Sequence, residues 1–198
     1  MDKTLLNINK VLPKSVLDIL RLAGSIGDSM CAKVFCVGGF VRDILLKVDN
    51  YDIDIVIEGN GLAFANELSN RLKAALVLYK RFGTATVTTK DSLKIDIATA
   101  RREYYKSPGT LPEVEFASIR DDLKRRDFTI NTMAISLNSK TFNRFMDFFH
   151  GQLDLKKRLI RVLHDKSFID DPTRIYRAIR FEQRYNFTIS DDTEKLIT

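Results

Sequence analysis

A mixed order of strand-like and helix-like stretches, closing on a helical run, points to an α+β chain. Three patterns carry that reading. Short apolar runs suited to strands recur at 33–37, 51–57, 76–79, 84–89 and 93–98. Helical spacing fills 14–30 and 62–73. From Asp171 onward the pattern is helical and rich in arginine.

The first helix sets Val16, Leu17, Leu20 and Ala23 at helical spacing, and Gly24 and Gly27 mark its end or a break in it. A strand over 33–37 runs into the turn Gly38-Gly39 and a short helix over 40–46. The strand over 51–57 stops at Glu58-Gly59-Asn60-Gly61, a turn by composition. The runs at 84–89 and 93–98 read as a hairpin closed by Lys90-Asp91-Ser92. Pro108, Gly109 and Pro112 make 102–113 read as a mobile loop of the kind that often carries function. Residues 120–126 read as helix, 130–137 as a further helix and 142–147 as a strand.

With 44% hydrophobic residues the 198-residue chain can build a sizeable core, as one domain or one domain and part of another. No apolar run approaches the roughly 18 residues of a membrane span. The N-terminus lacks a basic stretch followed by an apolar block, so a cytoplasmic protein is expected. Cys31, Cys36, His150 and His164 are too scattered for a disulfide framework or a metal site, and read as packing or surface residues. The net charge is +6, and the surplus lies late: residues 120–184 hold fifteen Lys or Arg against nine Asp or Glu. A phosphate-rich partner suits that balance, and so does a solvated basic face.

Local chemistry singles out Asp52 and Asp54. Residues two apart on a strand share a face, so both carboxylates point one way while Tyr51, Ile53 and Ile55 point to the core. Adjacent carboxylates repel, and a magnesium ion that also binds substrate phosphates would neutralise them; the alternative is a solvated acidic strand edge. Gly38 and Gly39 let backbone N–H groups approach a phosphate, with Arg42 adding a charge-assisted contact. A plain tight turn, with Asp43 as a structural partner of Arg42, fits as well. Asp96 lies between Ile95 and Ile97 on a strand that could run beside the first pair.

These motifs together resemble the DNA polymerase β-like nucleotidyltransferases, and more closely the bacterial class II tRNA nucleotidyltransferase and poly(A) polymerase family. The resemblance rests on VGGFVRDILL (37–46), YDIDIVIEG (51–59), KIDIATARREYY (94–105), DDLKRRDFTINTMAI (121–135) and DDPTRIYRAIRF (170–181). It implies a mixed-sheet head over 33–149 with flanking helices, after an N-terminal helical segment (1–32) and before the start of a helical neck (150–198). The family's further helical regions would make this chain a fragment.

The resemblance also implies roles. Asp52 and Asp54 match the metal-binding carboxylates, and Asp96 the third acidic position. Gly38, Gly39 and Arg42 match the triphosphate turn. Arg126 and Asp127 match residues that contact the ribose. Asp170, Asp171 and Arg174 match the Glu-Asp-x-x-Arg set that reads the incoming base, with Asp in place of Glu at the first position. Arg177 lies on the same helix, on a stripe with Arg174, Arg180 and Arg184 opposite Ile175, Ala178 and Ile179.

The implied reaction is template-independent addition of the terminal A, or of CCA, to the 3′ end of tRNA. ATP is the donor, CTP a second candidate, Mg²⁺ the cofactor and pyrophosphate the product. The retained segment 102–113 disfavours an enzyme that adds only C. The competing readings are a poly(A) polymerase and a non-catalytic RNA-binding module. The sequence does not set the oligomeric state.

Overall fold

The computed structural model describes residues 8–104 and 113–197. In chain order the elements are α1 (Lys14–Ser29), β1 (Lys33–Val37), α2 (Gly38–Leu46), β2 (Ile53–Glu58), α3 (Gly61–Leu72), β3 (Ala75–Tyr79), β4 (Thr84–Thr88), β5 (Lys94–Thr99), β6 (Arg101–Tyr104) and β7 (Glu113–Phe116). There follow α4 (Ile119–Lys124), β8 (Met133–Ser136), β9 (Phe145–Asp147), α5 (Gly151–Lys157), β10 (Leu159–Ile160), α6 (Ser167–Asp170), α7 (Thr173–Tyr185), β11 (Thr188–Ile189) and α8 (Asp191–Glu194). The chain forms two compact units, each discontinuous in sequence: residues 1–100 with 134–146, and residues 101–133 with 147–198.

The first unit is built on a seven-stranded mixed sheet in the order β3-β4-β5-β2-β1-β8-β9. β2 is central, antiparallel to β1 and parallel to β5. A parallel neighbour needs a crossover, here supplied by α3 and the two strands after it. The expected hairpin is present, with β4 antiparallel to β5. Burial of Ile53, Ile55 and Ile57 on β2 and of Ile95 and Ile97 on β5 fixes which face of these strands meets the core.

α1 buries Val16, Leu20, Ala23 and Ile26, and it runs through both glycines that suggested a break. A Cβ on Gly24 would stand 1.9 Å from the Leu137 carbonyl oxygen. The glycine therefore serves close approach of helix to backbone, and the helix ends only at Ser29.

Two other expectations need correcting. Within residues 130–137 only the first two close a 3-10 turn (Thr129–Asn131), and 133–136 are strand: β8 is buried along its length and pairs with β1. A short continuous apolar run does not distinguish strand from helix, and pairing with β1 settles it. The ends of the expected loop, residues 102–104 and 113, are paired strands, β6 antiparallel to β7; residues 105–112, with Pro108, Gly109 and Pro112, lie outside the described residues.

In the second unit α4 is capped by Ser118, whose side chain accepts from the Asp121 N–H. α7 turns Arg174, Ala178 and Phe181 inward. Arg174 is buried, whereas Ile179 is 47% exposed, so the arginine stripe opposite Ile175, Ala178 and Ile179 does not separate an exposed face from a buried one. Cys36 is buried and Cys31 exposed, both as free thiols. No helix among the described residues is long and apolar enough to cross a membrane.

Candidate active site

Three predicted acidic residues gather on one face of the first unit's sheet. Asp52 immediately precedes β2 and is exposed; Asp54 is half-buried between the fully buried Ile53 and Ile55. The parallel register sets Asp54 beside Asp96. Asp96 is held on both oxygens: Thr86 Oγ1 donates to Oδ1 at 2.6 Å and Lys94 Nζ to Oδ2 at 2.8 Å. The hydrogen bond and charge of Asp96, with the charges of Asp52 and Asp54 behind them, raise the Lys94 ammonium above its ordinary pKa. Burial pushes up the nearby Cys36 thiol, and the charge of Asp54 adds to the effect.

The glycine turn adjoins this acidic face. Gly38 has φ +67°, a left-handed conformation that suits glycine, and it starts α2 directly from β1. A Cβ on Gly39 would lie 3.4 Å from Arg42 Nη2 and 3.9 Å from Asp54 Oδ2, which brings the turn to the metal-candidate carboxylate. Arg42 is buried and pairs with Asp43 through Nε and Nη2, both 2.8 Å from Oδ1. Asn50 Nδ2 holds the other oxygen of Asp43 at 2.8 Å. The structural pairing that the sequence left open is thus present.

The acidic face fits a divalent cation. Two carboxylates share one side, hard oxygen donors are what Mg²⁺ and its relatives prefer, and the field of the cluster is already felt by Lys94. Among the described residues no three His, Cys, Asp or Glu side chains come together closely enough to hold a metal. A cation here would draw its remaining ligands from substrate and water.

The second unit carries the remaining candidates. Asp122, which the sequence reading passed over, is fully buried at its centre. It accepts from Arg125 Nη2 at 2.7 Å, Arg125 Nε at 3.1 Å, Arg126 Nη2 at 3.2 Å and the Arg101 N–H at 3.3 Å. Burial alone would raise its carboxyl pKa, but the charges of Arg126 and Arg125 outweigh it and hold the pKa below the usual value. The spacing of Asp122 to Arg125 and Arg126, three and four residues on a helix, is the signal that could have found it. Arg126 Nε is buried without a hydrogen-bond partner among the described residues.

Asp127 and Arg177, fifty residues apart, meet: Nε and Nη2 of Arg177 stand 2.8 and 2.7 Å from Asp127 Oδ2. Asp127 Oδ1 accepts from the Phe128 N–H at 2.8 Å and Asn131 Nδ2 at 2.9 Å. Arg174 is buried, donating to Ser167 Oγ at 2.7 Å and to the Arg125 carbonyl at 3.0 Å. Asp171 Oδ1 accepts from the Thr173 N–H and hydroxyl at the start of α7, and its Oδ2 lies 3.8 Å from Arg174 Nε. Asp171 thus both holds the first residue of the helix and faces the arginine. Asp170 turns elsewhere, with Oδ2 3.9 Å from His164 Nε2.

Asp170 and Arg174 line a cavity of about 470 Å³ together with Arg102, Tyr104, Lys124 and His164. Burial lowers the His164 pKa; Asp170 opposes that shift, while Arg174 and Lys124 add to it. His164 therefore belongs to a candidate ligand pocket, and nothing in its sequence surroundings marked it.

Helices against a seven-stranded mixed sheet, with paired acidic residues beside a glycine turn, are the architecture of a polymerase β-like nucleotidyltransferase head. Within that class the chain belongs to the poly A polymerase head domain family, whose model matches residues 34–161. It is 49% identical over 190 residues to the A-adding tRNA nucleotidyltransferase of Geobacter sulfurreducens, covering 96% of this chain and 22% of that protein. To the A-adding tRNA nucleotidyltransferase of Halalkalibacterium halodurans it is 43% identical, covering 96% of this chain and 44% of the relative. A solved CCA-adding enzyme in an apo form superposes with a TM-score of 0.92 at 53% identity, over 100% of this chain and 46% of that one. The chain thus spans less than half the length of these relatives. Enzymes of this family generally use a divalent metal.

Proposed function

We propose that this chain is the catalytic part of a template-independent tRNA nucleotidyltransferase that adds at least the terminal A to the tRNA 3′ end. A head over 33–149 and the start of a neck over 150–198 would divide its work. The observation that carries the reading is Asp54 on β2 beside the Gly39 turn, with Asp52 just ahead of the strand, in a chain 49% identical to an A-adding enzyme.

In the proposed reaction the primer 3′-hydroxyl attacks the α-phosphate of ATP and pyrophosphate leaves. Asp52 and Asp54 would hold Mg²⁺, which supplies acidification of the attacking hydroxyl and charge neutralisation on the phosphates. Backbone N–H groups of Gly38 and Gly39 would receive the triphosphate. Arg42, already paired with Asp43, would contribute a fixed donor more than a free charge. Arg126, held on Asp122 through Nη2, would contact the ribose. Asp127 already accepts four hydrogen bonds, so a ribose hydroxyl would share an oxygen with Arg177. Asp170, Asp171 and Arg174 would read the base edge, with guanidinium donors matched to ring nitrogen and carboxylate acceptors to an exocyclic amine. The basic surplus over 120–184 suits the RNA backbone, and a tRNA substrate would put the protein's work in the cytoplasm.

The test is incorporation by the full-length protein on tRNA lacking its 3′ CCA and on tRNA ending in CC. Extension of the CC-ended tRNA alone by one A supports A addition. Restoration of all three nucleotides supports CCA addition, and long A tracts indicate a poly(A) polymerase. Full incorporation by Asp52→Ala would refute the site.

A further inference from the structure

The acidic face holds a cation of its own. We propose that Lys94 is a positioning residue of the metal site: its ammonium engages Asp96, keeps that carboxylate out of metal coordination and limits the affinity of the Asp52–Asp54 pair for a divalent ion. The inference rests on the reading of Asp52 and Asp54 as the metal ligands, and it assigns Asp96 a part that its alignment with them does not reveal.

Three observations converge. Both oxygens of Asp96 are taken, one by the Thr86 hydroxyl at 2.6 Å and one by Lys94 at 2.8 Å. Lys94 also lies within the electrostatic reach of Asp52 and Asp54, so its charge acts on the whole cluster and not on one partner. Although the register sets Asp54 beside Asp96, no three His, Cys, Asp or Glu side chains among the described residues gather round one point, so Asp96 does not complete a three-carboxylate cluster. A simple surface ion pair between residues two apart on a strand would account for the Lys94–Asp96 contact. The ion pair alone leaves the second oxygen of Asp96 open, and Thr86, its cross-strand partner on β4, occupies it. A divalent ion approaching Asp96 would meet the Lys94 ammonium at close range.

Binding of Mn²⁺, followed by the electron paramagnetic resonance of the free ion at low ionic strength, tests this without any turnover. Lys94→Met removes a positive charge beside the site and should tighten Mn²⁺ binding by about three- to tenfold. Lys94→Arg, which keeps the charge, should bind as the wild type does. Asp96→Asn should weaken binding by no more than about fivefold, because a neighbouring charge is lost but no ligand. Asp54→Asn should abolish saturable binding. Unchanged affinity in Lys94→Met, or loss in Asp96→Asn equal to that in Asp54→Asn, overturns the proposal while leaving the Asp52–Asp54 pair in place. Saturable binding that survives both Asp52→Asn and Asp54→Asn refutes the reading of the pair, and the proposal with it. Lys94 is about half exposed, so folding of its variants is not at issue.

Discussion

Replacing Asp122 by Asn should destabilise the protein by about 3 kcal/mol, the low end of the range for breaking a buried ion pair. The carboxylate is fully buried and accepts three guanidinium hydrogen bonds, two from Arg125 and one from Arg126. Asn keeps the shape but lacks the charge, and its amide N–H₂ must face donors. Arg125 and Arg126 retain 20% and 19% exposure, so water recovers part of the loss, which is why the low end applies. Urea unfolding followed by circular dichroism at pH 7 should shift its midpoint down by roughly 1–2 M at an unchanged slope. The pH dependence supplies a second constraint. The folded-state pKa of Asp122 is depressed below 3.8, so its stabilisation is fully present above that value and is lost as the pH falls through the folded value. The difference between wild type and Asp122→Asn should therefore be constant from pH 7 to about pH 5 and shrink below pH 4. A loss under about 1 kcal/mol at pH 7, or one that does not shrink in acid, would refute the account of this cluster.

Three further outcomes are expected. Gly24→Ala should lower stability by at least about 2 kcal/mol in the same urea assay, because a methyl group would overlap the Leu137 carbonyl and helix and backbone must separate. His164 should titrate below 6.5 when its imidazole is followed by NMR. Asp170→Asn should lower the midpoint further, since the Asp170 charge is the larger of two, with Asp165, that oppose the burial shift; a rise on that substitution would contradict the pocket geometry. Arg177→Met removes two charge-assisted hydrogen bonds to Asp127, and should cost about 10- to 100-fold in kcat/KM for ATP incorporation if the pair orients the nucleotide.

What could be read in the sequence was what depends on near neighbours. The alternation around Asp52 and Asp54 needs only the two-residue period of a strand, and the Gly-Gly turn sits where β1 meets α2. The hairpin of β4 and β5 was legible from its short polar connection. The register that sets Asp96 beside Asp54 was not, because β2 and β5 are parallel strands joined through a long crossover, and nothing local fixes their alignment. The strand at 133–136 was read as helix for the same reason, since its partner lies a hundred residues earlier. On α7 the polar rule failed: Arg174 is buried because Ser167 and the Arg125 carbonyl satisfy its guanidinium, while Ile179 remains half exposed. An arginine's burial depends on partners in distant segments, which hydrophobic periodicity does not record.

Those buried partnerships bear on how a protein could read a base without a template. Discrimination between bases that differ in a few donors and acceptors requires side chains whose positions do not adjust to the wrong ligand. Three of the four arginines proposed for nucleotide recognition are fixed by protein groups on two or more donor bonds: Arg42 by Asp43, Arg174 by Ser167 and the Arg125 carbonyl, and Arg177 by Asp127. Donors held in this way lose little conformational freedom when a ligand arrives, and they cannot follow one that is misplaced. The same fixing explains why Asp127 spends four hydrogen bonds on its own protein. An arginine set loose by loss of its partner should thus be expected to bind more kinds of nucleotide, and to select among them less well.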